Sequence, residues 1–352
     1  MERGICGAIG ETPLVELVSL SEQTGRRIFG KCEFMNPAGS VKDRPALYLV
    51  KALEESGALL ANGTIVEGTG GNTGIGLALV AAARGYKCIV CMPETIAEEK
   101  IERMRVLGAK VVLCPSVPFT DVRHYFHVSA KIAAETEGAA CTQQFESLAN
   151  RDAHAETTGP EIWRQTAGAV AGFCCAAGTG GTIAGVAQHL KATSHGSVQI
   201  WLADCAGSGM KERVDAGAAH EEAGEAAGKP VTWLPRSEGS SVAEGIGIGR
   251  LTANFNSALP HIDGAALVTD REAVEMAYHL LRNDGIFVGP SAALNAVGAV
   301  KLARTLPADS CVVTILCDDG GRYASKLFNA EWLAEKGLAP EITAGAALDF
   351  VA

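Results

Sequence analysis

No stretch of the 352-residue chain holds the roughly 20 consecutive apolar residues that a membrane-spanning helix requires. The opening residues, Met1-Glu2-Arg3-Gly4-Ile5-Cys6, begin with an acid and lack the apolar core of a secretory signal, so export is not expected. There is also no block of basic residues. The 30 lysines and arginines are scattered among 40 acidic residues, and the formal net charge is −10. Nucleic-acid binding needs a clustered basic face, so nucleic acid is not an expected partner. A small anionic substrate remains compatible, because a few local N–H donors outweigh a diffuse net charge. Internal repeats, heptads and low-complexity linkers are missing too.

The 11 cysteines are odd in number, and most sit in apolar runs such as Gly172-Phe173-Cys174-Cys175-Ala176. This pattern reads as reduced, buried thiols in the cytoplasm. Cys88 and Cys91 form a CxxC pair, a spacing used by redox and metal sites. They fall within Tyr86 to Met92, which reads as a buried strand, where residues three apart point to opposite faces.

With 47% hydrophobic and 20% charged residues, the chain has the balance of a soluble globular protein long enough for one large or two medium domains. Strands are expected at Ile28 to Glu33, Thr64 to Glu67, Lys87 to Met92 and Lys110 to Cys114. Between them, helices are expected from near Pro45, over Ile75 to Arg84, over Ala97 to Leu107 and over Val122 to Glu137. A second series has strands at Ala171 to Ala176, Val198 to Asp204 and Cys311 to Cys317. Its helices are expected at Thr158 to Gln165 and Thr182 to Lys191. The segment from Ser208 to Gly239 reads as a surface excursion. Such alternation implies the α/β class, with parallel strands joined by right-handed crossovers and ligands beyond the strands' carboxyl ends.

Three segments carry chemistry. Asn36-Pro37-Ala38-Gly39-Ser40-Val41-Lys42-Asp43-Arg44 puts Lys42 at a strand–turn–helix junction. On local chemistry alone Lys42 is an ordinary lysine ahead of a helix; in a site that lowers its pKa it would capture carbonyls. Gly68-Thr69-Gly70-Gly71-Asn72-Thr73-Gly74 and Gly178-Thr179-Gly180-Gly181-Thr182 each follow a strand and open a helix. Glycine lets backbone N–H groups approach a ligand, and a helix N-terminus favours an anion. Neither loop fits the dinucleotide or P-loop spacing. Two such turns point to two anionic groups, such as a phosphate and a carboxylate.

In combination these segments resemble the cysteine synthase (O-acetylserine sulfhydrylase) and cystathionine β-synthase family of fold type II pyridoxal-phosphate enzymes. The resemblance runs from Gly10-Glu11-Thr12-Pro13-Leu14 to about Tyr323. It implies a two-lobed, tryptophan synthase β-like fold, each lobe a parallel-rich sheet flanked by helices. Residues 46–152 would form a smaller, mobile lobe that binds the substrate carboxylate, and residues 1–45 plus 153–352 a larger lobe that binds pyridoxal 5'-phosphate. Lys42 would be the Schiff-base lysine and general base. Asn72 would bond the cofactor's phenolic oxygen, Gly178, Thr179, Gly180, Gly181 and Thr182 its phosphate, and Ser291 its pyridine nitrogen. A serine at that nitrogen leaves it largely unprotonated. Thr69, Gly70, Gly71, Asn72, Thr73, Gln144 and Gly245 would surround the amino acid.

The reaction so implied is β-replacement, O-acetylserine plus sulfide giving L-cysteine plus acetate through an aminoacrylate. Cystathionine β-synthesis from serine and homocysteine, and cysteine desulfhydrase or Ser/Thr dehydratase chemistry, are the alternatives. A chain ending at Ala352 favours the first, since many cystathionine β-synthases append a regulatory domain. A non-catalytic homologue binding a ligand or partner is a further alternative, against which Lys42, Asn72 and Ser291 argue. A homodimer and a serine acetyltransferase partner are also implied. The chain departs from the family's usual Thr-Ser-Gly-Asn-Thr by having Gly70, which removes one hydroxyl from the carboxylate site. His124 and His127, spaced i, i+3, and Asp318-Asp319-Gly320-Gly321 could suggest metal sites, but no metal is expected.

Overall fold

The computed structural model describes residues 3–96, 98–343 and 345–352. Ala97, where the sequence pattern starts its third helix, and Met1 and Glu2 of the opening segment lie outside them. Twelve strands are present among the described residues: β1 (Leu14–Glu16), β2 (Arg27–Cys32), β3 (Thr64–Gly68), β4 (Lys87–Pro93), β5 (Lys110–Cys114), β6 (Ala139–Cys141), β7 (Val170–Ala176), β8 (Gln199–Cys205), β9 (Glu222–Ala226), β10 (Lys229–Trp233), β11 (Gly264–Val268) and β12 (Cys311–Leu316). They form two parallel-rich sheets and one hairpin. The first sheet has the order β1-β2-β12-β7-β8-β11, with only the β1–β2 pair antiparallel. The second has the order β5-β4-β3-β6 and is parallel throughout.

Both sheets are covered by helices, which is why their strands are apolar on both faces. In the first, alternate residues go to opposite cores. Cys174 and Val312 pack against the Pro290–Thr305 helix, while Phe173 and Val313 pack with Ile183, Val186 and Leu190 of the Gly181–Thr193 helix. In the second, Ile65 and Val90 bury against Ile75, Leu77 and Ala78 of the Asn72–Arg84 helix. The α/β architecture with two helix-flanked, parallel-rich sheets is therefore present as the sequence predicts. Among the described residues no helix is long and apolar enough to cross a membrane. All eleven cysteines are unpaired, and Cys88 and Cys91 are both buried in β4.

Some elements differ from the sequence pattern for local reasons. The helix predicted from Val122 begins at Tyr125, because His124 is extended and its Nδ1 accepts from the Phe126 N–H at 3.3 Å as an N-cap. The helix predicted from Thr158 begins at Gly159. It follows a π-turn over His154–Thr158, where the Thr158 hydroxyl bonds His154 Nδ1 at 2.8 Å. The excursion from Ser208 to Gly239 contains the antiparallel hairpin β9–β10.

The sheet orders decide where a ligand fits. In the second sheet β3 lies between β4 and β6, and in the first β12 lies between β2 and β7. The loops leaving these strands run apart at their carboxyl ends and leave a crevice. Those loops carry Lys42, Thr69–Asn72, Gln144, Gly178 and Asp318.

Candidate active site

A cavity of about 450 Å³ lies at this crevice. Its lining includes Lys42, Thr69, Gly70, Gly71, Asn72, Thr73, Gln144, Gly178, Thr179, Gly180, Thr182, Gly245 and Ser291. Gly181, the remaining predicted residue, is the first residue of the helix that follows the second glycine turn. The structure thus gathers residues spread over 250 positions of the chain.

Lys42 precedes the Asp43–Glu55 helix, on a loop tied at many points. Val41 N–H donates to Cys317 C=O at 2.8 Å, and Ser40 bridges Asp318, so the loop lies against the end of β12. Asn36 donates to Glu33 Oε2 at 2.9 Å and to Ser40 C=O at 3.1 Å. Two residues beyond Lys42, Arg44 is fully buried between two carboxylates, 2.7 Å from Glu33 and 2.6 Å from Glu161, and Lys31 joins Glu161 at 2.6 Å. Two cations against two anions, all buried and close-packed, fix this loop's geometry. Among the described residues nothing hydrogen-bonds or ion-pairs with Lys42 Nζ, so an amine with no partner faces the cavity.

The two glycine turns are built alike. The Thr69 hydroxyl accepts from Gly71 N–H, and the Thr179 hydroxyl accepts from Gly181 N–H, each at 3.3 Å. In both turns a helix N-terminus then faces the cavity with N–H groups that have no partner within the helix. The second turn is the tighter. A Cβ at Gly178 would lie 2.3 Å from Gly245 O, and at Gly180, where φ is +88°, 2.5 Å from Phe255 Cα. Asn150 Nδ2 donates to the Thr179 hydroxyl at 3.0 Å. Buried His154 brings Nε2 to 3.2 Å from the Thr182 hydroxyl, and burial keeps this imidazole neutral by holding its pKa well below the usual value. Ser291 is the second residue of the Pro290–Thr305 helix. One turn on, Asn295 accepts from Ala176 N–H at 2.7 Å and donates to Ile315 C=O at 2.8 Å, tying β7 to β12 beneath the cavity.

At the first turn, Asn72 Nδ2 donates to Asp318 Oδ2 at 2.7 Å, and Arg322 donates to Asn72 Oδ1. Asp318 Oδ2 also accepts from the Tyr323 hydroxyl at 2.7 Å, while its Oδ1 is buried with no hydrogen-bond partner among the described residues. The Thr73 hydroxyl donates to Gln144 Oε1 at 2.7 Å. Gln144 donates its Nε2 hydrogens to Glu67 Oε1 at 3.3 Å and Gly68 C=O at 3.2 Å. Gln144 thus lines the cavity with every polar atom engaged. Glu67 is fully buried, and desolvation raises its pKa to about 7. Around Gly70 there is room: a Cβ would meet only Ile96 Cδ1, at 3.7 Å.

At the mouth, Glu244 takes an ion pair at 2.5 Å from each of two lysines, Lys100 on one oxygen and Lys326 on the other. Burial opposes ionisation of Glu244, and the two lysines outweigh it, holding the carboxyl below its usual range. Lys100 is buried and lies 4.8 Å from the Tyr323 ring centroid.

Sequence reasoning does not single out Glu67, Asn150, Asn295, Glu244 or Lys326; each sits within an ordinary strand, helix or loop pattern, and only the fold brings it to the cavity or to the residues that line it. Glu98, Glu99, Lys100, Glu102 and Arg103 read in sequence as a solvated charged helix face, but Lys100 is buried at the cavity, paired with Glu244. Asp318 was visible as an acidic turn after a strand; its carboxylate holds Asn72 and Tyr323. His124 and His127 are occupied by Phe126 N–H and Phe119 C=O, and no group of three metal-ligating side chains occurs among the described residues.

A glycine cradle that a Cβ would fill, a helix N-terminus, an unpartnered amine and a buried serine together fit pyridoxal phosphate. The cradle and N–H groups suit its dianionic phosphate, the amine its aldehyde, and Ser291 its ring nitrogen. Comparison with known proteins agrees. Residues 5–318 match the family model described as pyridoxal-phosphate dependent enzyme. Cysteine synthase 1 of Neurospora crassa is 47% identical over 96% of this chain and 86% of its own length. Cysteine synthase 1 of Emericella nidulans is 47% identical over 95% and 87%. More distant is the cystathionine beta-synthase of Apis mellifera, 34% identical over 95% of this chain and 62% of its own length.

Proposed function

The chain belongs to the pyridoxal-phosphate dependent enzyme family, and from that premise we propose that it is a cysteine synthase, replacing the acetate of O-acetylserine with sulfide. The observation that carries the reading is the meeting, in one cavity, of the unpartnered Lys42 amine, the Gly178–Thr182 cradle and Ser291. Bound pyridoxal phosphate supplies an aldehyde that condenses with an amine and a ring that withdraws electrons from the α-carbon.

The chain's residues do the rest. The N–H groups from Gly178 to Thr182 bind the phosphate and fix the ring's position. Asn72 contacts the phenolic oxygen, held in place by Asp318 and Arg322. Ser291 meets the ring nitrogen as a neutral partner. The turn of Thr69, Gly70, Gly71, Asn72 and Thr73 binds the amino acid's carboxylate. Gln144 acts from beneath by fixing the Thr73 hydroxyl, and Gly245 faces the bound amino acid. Lys42 Nζ, once free, takes the α-proton as general base. The smaller lobe, residues 46–152, closes against the larger, residues 1–45 plus 153–352, and excludes water. We place the enzyme in the cytoplasm, as a homodimer able to bind serine acetyltransferase; unpaired cysteines support a reducing compartment.

The purified protein loaded with pyridoxal phosphate is expected to form cysteine from O-acetylserine and sulfide faster than cystathionine from serine and homocysteine. The opposite order would favour cystathionine synthesis, as in the Apis mellifera relative, and release of sulfide from cysteine alone a desulfhydrase. Lys42→Ala should lose both turnover and the visible absorption of the loaded enzyme. Normal turnover by that variant would overturn the role of Lys42.

A further inference from the structure

Glu67, at the carboxyl end of β3, is a buried carboxyl with no cationic partner among the described residues. Its Oε2 accepts from the Thr142 hydroxyl and from Gln144 N–H at 3.2 Å, and its Oε1 accepts from Gln144 Nε2 at 3.3 Å. The titratable groups facing it are Tyr125 from the Tyr125–Glu135 helix, Cys88 and Cys91 from β4 and Cys141 from β6. None of these is positively charged in any protonation state. No lysine, arginine or histidine pairs with Glu67 among the described residues. An anion compensated only by neutral donors in a dry interior sits near the balance between its charged and protonated forms.

Glu67 is also wired to the cavity. Gln144 spans from Glu67 to the Thr73 hydroxyl, and Thr73 belongs to the helix start that faces the amino acid's carboxylate. An α-carboxylate docked on the Thr69–Thr73 turn puts a second negative charge at the other end of this relay. The relay's own groups, Gln144 and Thr73, carry no charge, and Lys100, whose Nζ lies 3.9 Å from where a Gly71 Cβ would be, is already paired with Glu244. The two anions repel through a poorly screened interior, and Glu67 can relieve that by becoming neutral.

We propose that Glu67 takes up a proton from solvent when the amino-acid carboxylate docks, so that substrate binding is proton-coupled through Glu67, Gln144 and Thr73. The proton belongs on Oε2. The Thr142 hydroxyl then turns from donor to acceptor, while Gln144 Nε2 keeps donating to Oε1 and Gly68 C=O. Nothing else in the relay moves, and only the charge is removed. Glu67 is thus a positioning residue whose protonation state sets carboxylate affinity. With the free carboxyl titrating at about 7, affinity should fall as pH rises above that value.

This rests on the reading of the Thr69–Thr73 turn as the carboxylate site, and the test separates the two. The enzyme loaded with pyridoxal phosphate is titrated with L-alanine, which carries the α-carboxylate and has no β-substituent to lose. Calorimetry in two buffers of different ionisation enthalpy counts protons. The wild type should take up more protons than Glu67→Gln, by up to one. Its dissociation constant should rise with pH by up to about tenfold per unit more than that of the variant between about pH 7 and pH 8. In infrared difference spectra, binding should add a carboxylic-acid carbonyl band that Glu67→Gln lacks. If Glu67→Gln does not fold, that band and the pH slope of the wild type alone decide. Binding with no band and no extra pH dependence overturns the coupling and leaves the functional reading intact. Failure of both L-alanine and O-acetylserine to bind overturns both.

Discussion

Asn72 and Asp318, 246 residues apart, are joined by a 2.7 Å hydrogen bond that links the two sheets at the cavity. Asn72 starts the helix after β3, and Asp318 follows β12. The bond orients the Asn72 amide, because Arg322 donates to its oxygen and Asp318 accepts one of its hydrogens, leaving the other free for the cofactor contact proposed above. Asp318→Ala removes this anchor and that of Tyr323. A hydrogen bond to a charged group is worth about 1.5–3 kcal/mol, so affinity for pyridoxal phosphate should fall by about ten- to a hundredfold. Absorbance titration of the apoprotein measures this, and unchanged circular dichroism shows that the fold survives.

Gly70 invites a gain-of-function test. A side chain fits there, since a Cβ would meet only Ile96 at an ordinary van der Waals distance. Gly70→Ser adds a hydroxyl to the turn proposed to bind the carboxylate. The KM for O-acetylserine should drop by up to about tenfold, with kcat changed less, because the new bond acts on bound substrate and transition state alike. A KM that does not drop would place the carboxylate elsewhere.

Gly178 allows no such freedom. Its added Cβ would collide with backbone, the carbonyl of Gly245, and backbone cannot turn aside as a side-chain tip can. Gly178→Ala must therefore push the phosphate cradle and the Gly245 loop apart. We expect about 1–3 kcal/mol of destabilisation, seen as a lower Tm, together with loss of cofactor retention on gel filtration.

Glu67 also predicts how stability varies with pH. Its folded pKa, raised to about 7 by desolvation, lies above the unfolded value of 4.5. The folded state therefore holds a proton that the unfolded state has lost between those values. Stability from this group is complete below the unfolded value and is lost as pH rises through the folded one. Glu67→Gln cannot lose it. The stability difference between variant and wild type should shift in the variant's favour by up to about 3 kcal/mol from acid to mildly alkaline pH. Denaturant titrations across that range measure it, and a flat difference would show that Glu67 is not desolvated.

Much of the site was legible because its chemistry is local in sequence. A strand, a glycine turn and a helix start can be read at Gly68–Gly74 and Gly178–Thr182 without knowing the fold, and Lys42 sits in the same kind of junction. Strand limits were read well where apolar runs are bounded by glycine or charge; β5 matches its predicted limits residue for residue. The short edge strand β1 and the three-residue β6 went unread, since so few residues carry no periodicity. Neither could the sequence show that Glu67 and Gln144, or Lys31, Arg44 and Glu161, meet. A charged residue in a strand or helix normally faces water, and only tertiary packing buries these and supplies their partners.

At the mouth, two lysines share one carboxylate. The surplus positive charge lies on a protein whose formal net charge is −10. In physiological salt the overall negative field fades within about 8 Å, so an approaching anion feels repulsion only near the surface. Lys100, Lys326 and Glu244 together carry one net positive charge beside the cavity. Hydrosulfide is drawn inward and departing acetate is held back, so raising ionic strength should slow capture while easing product escape.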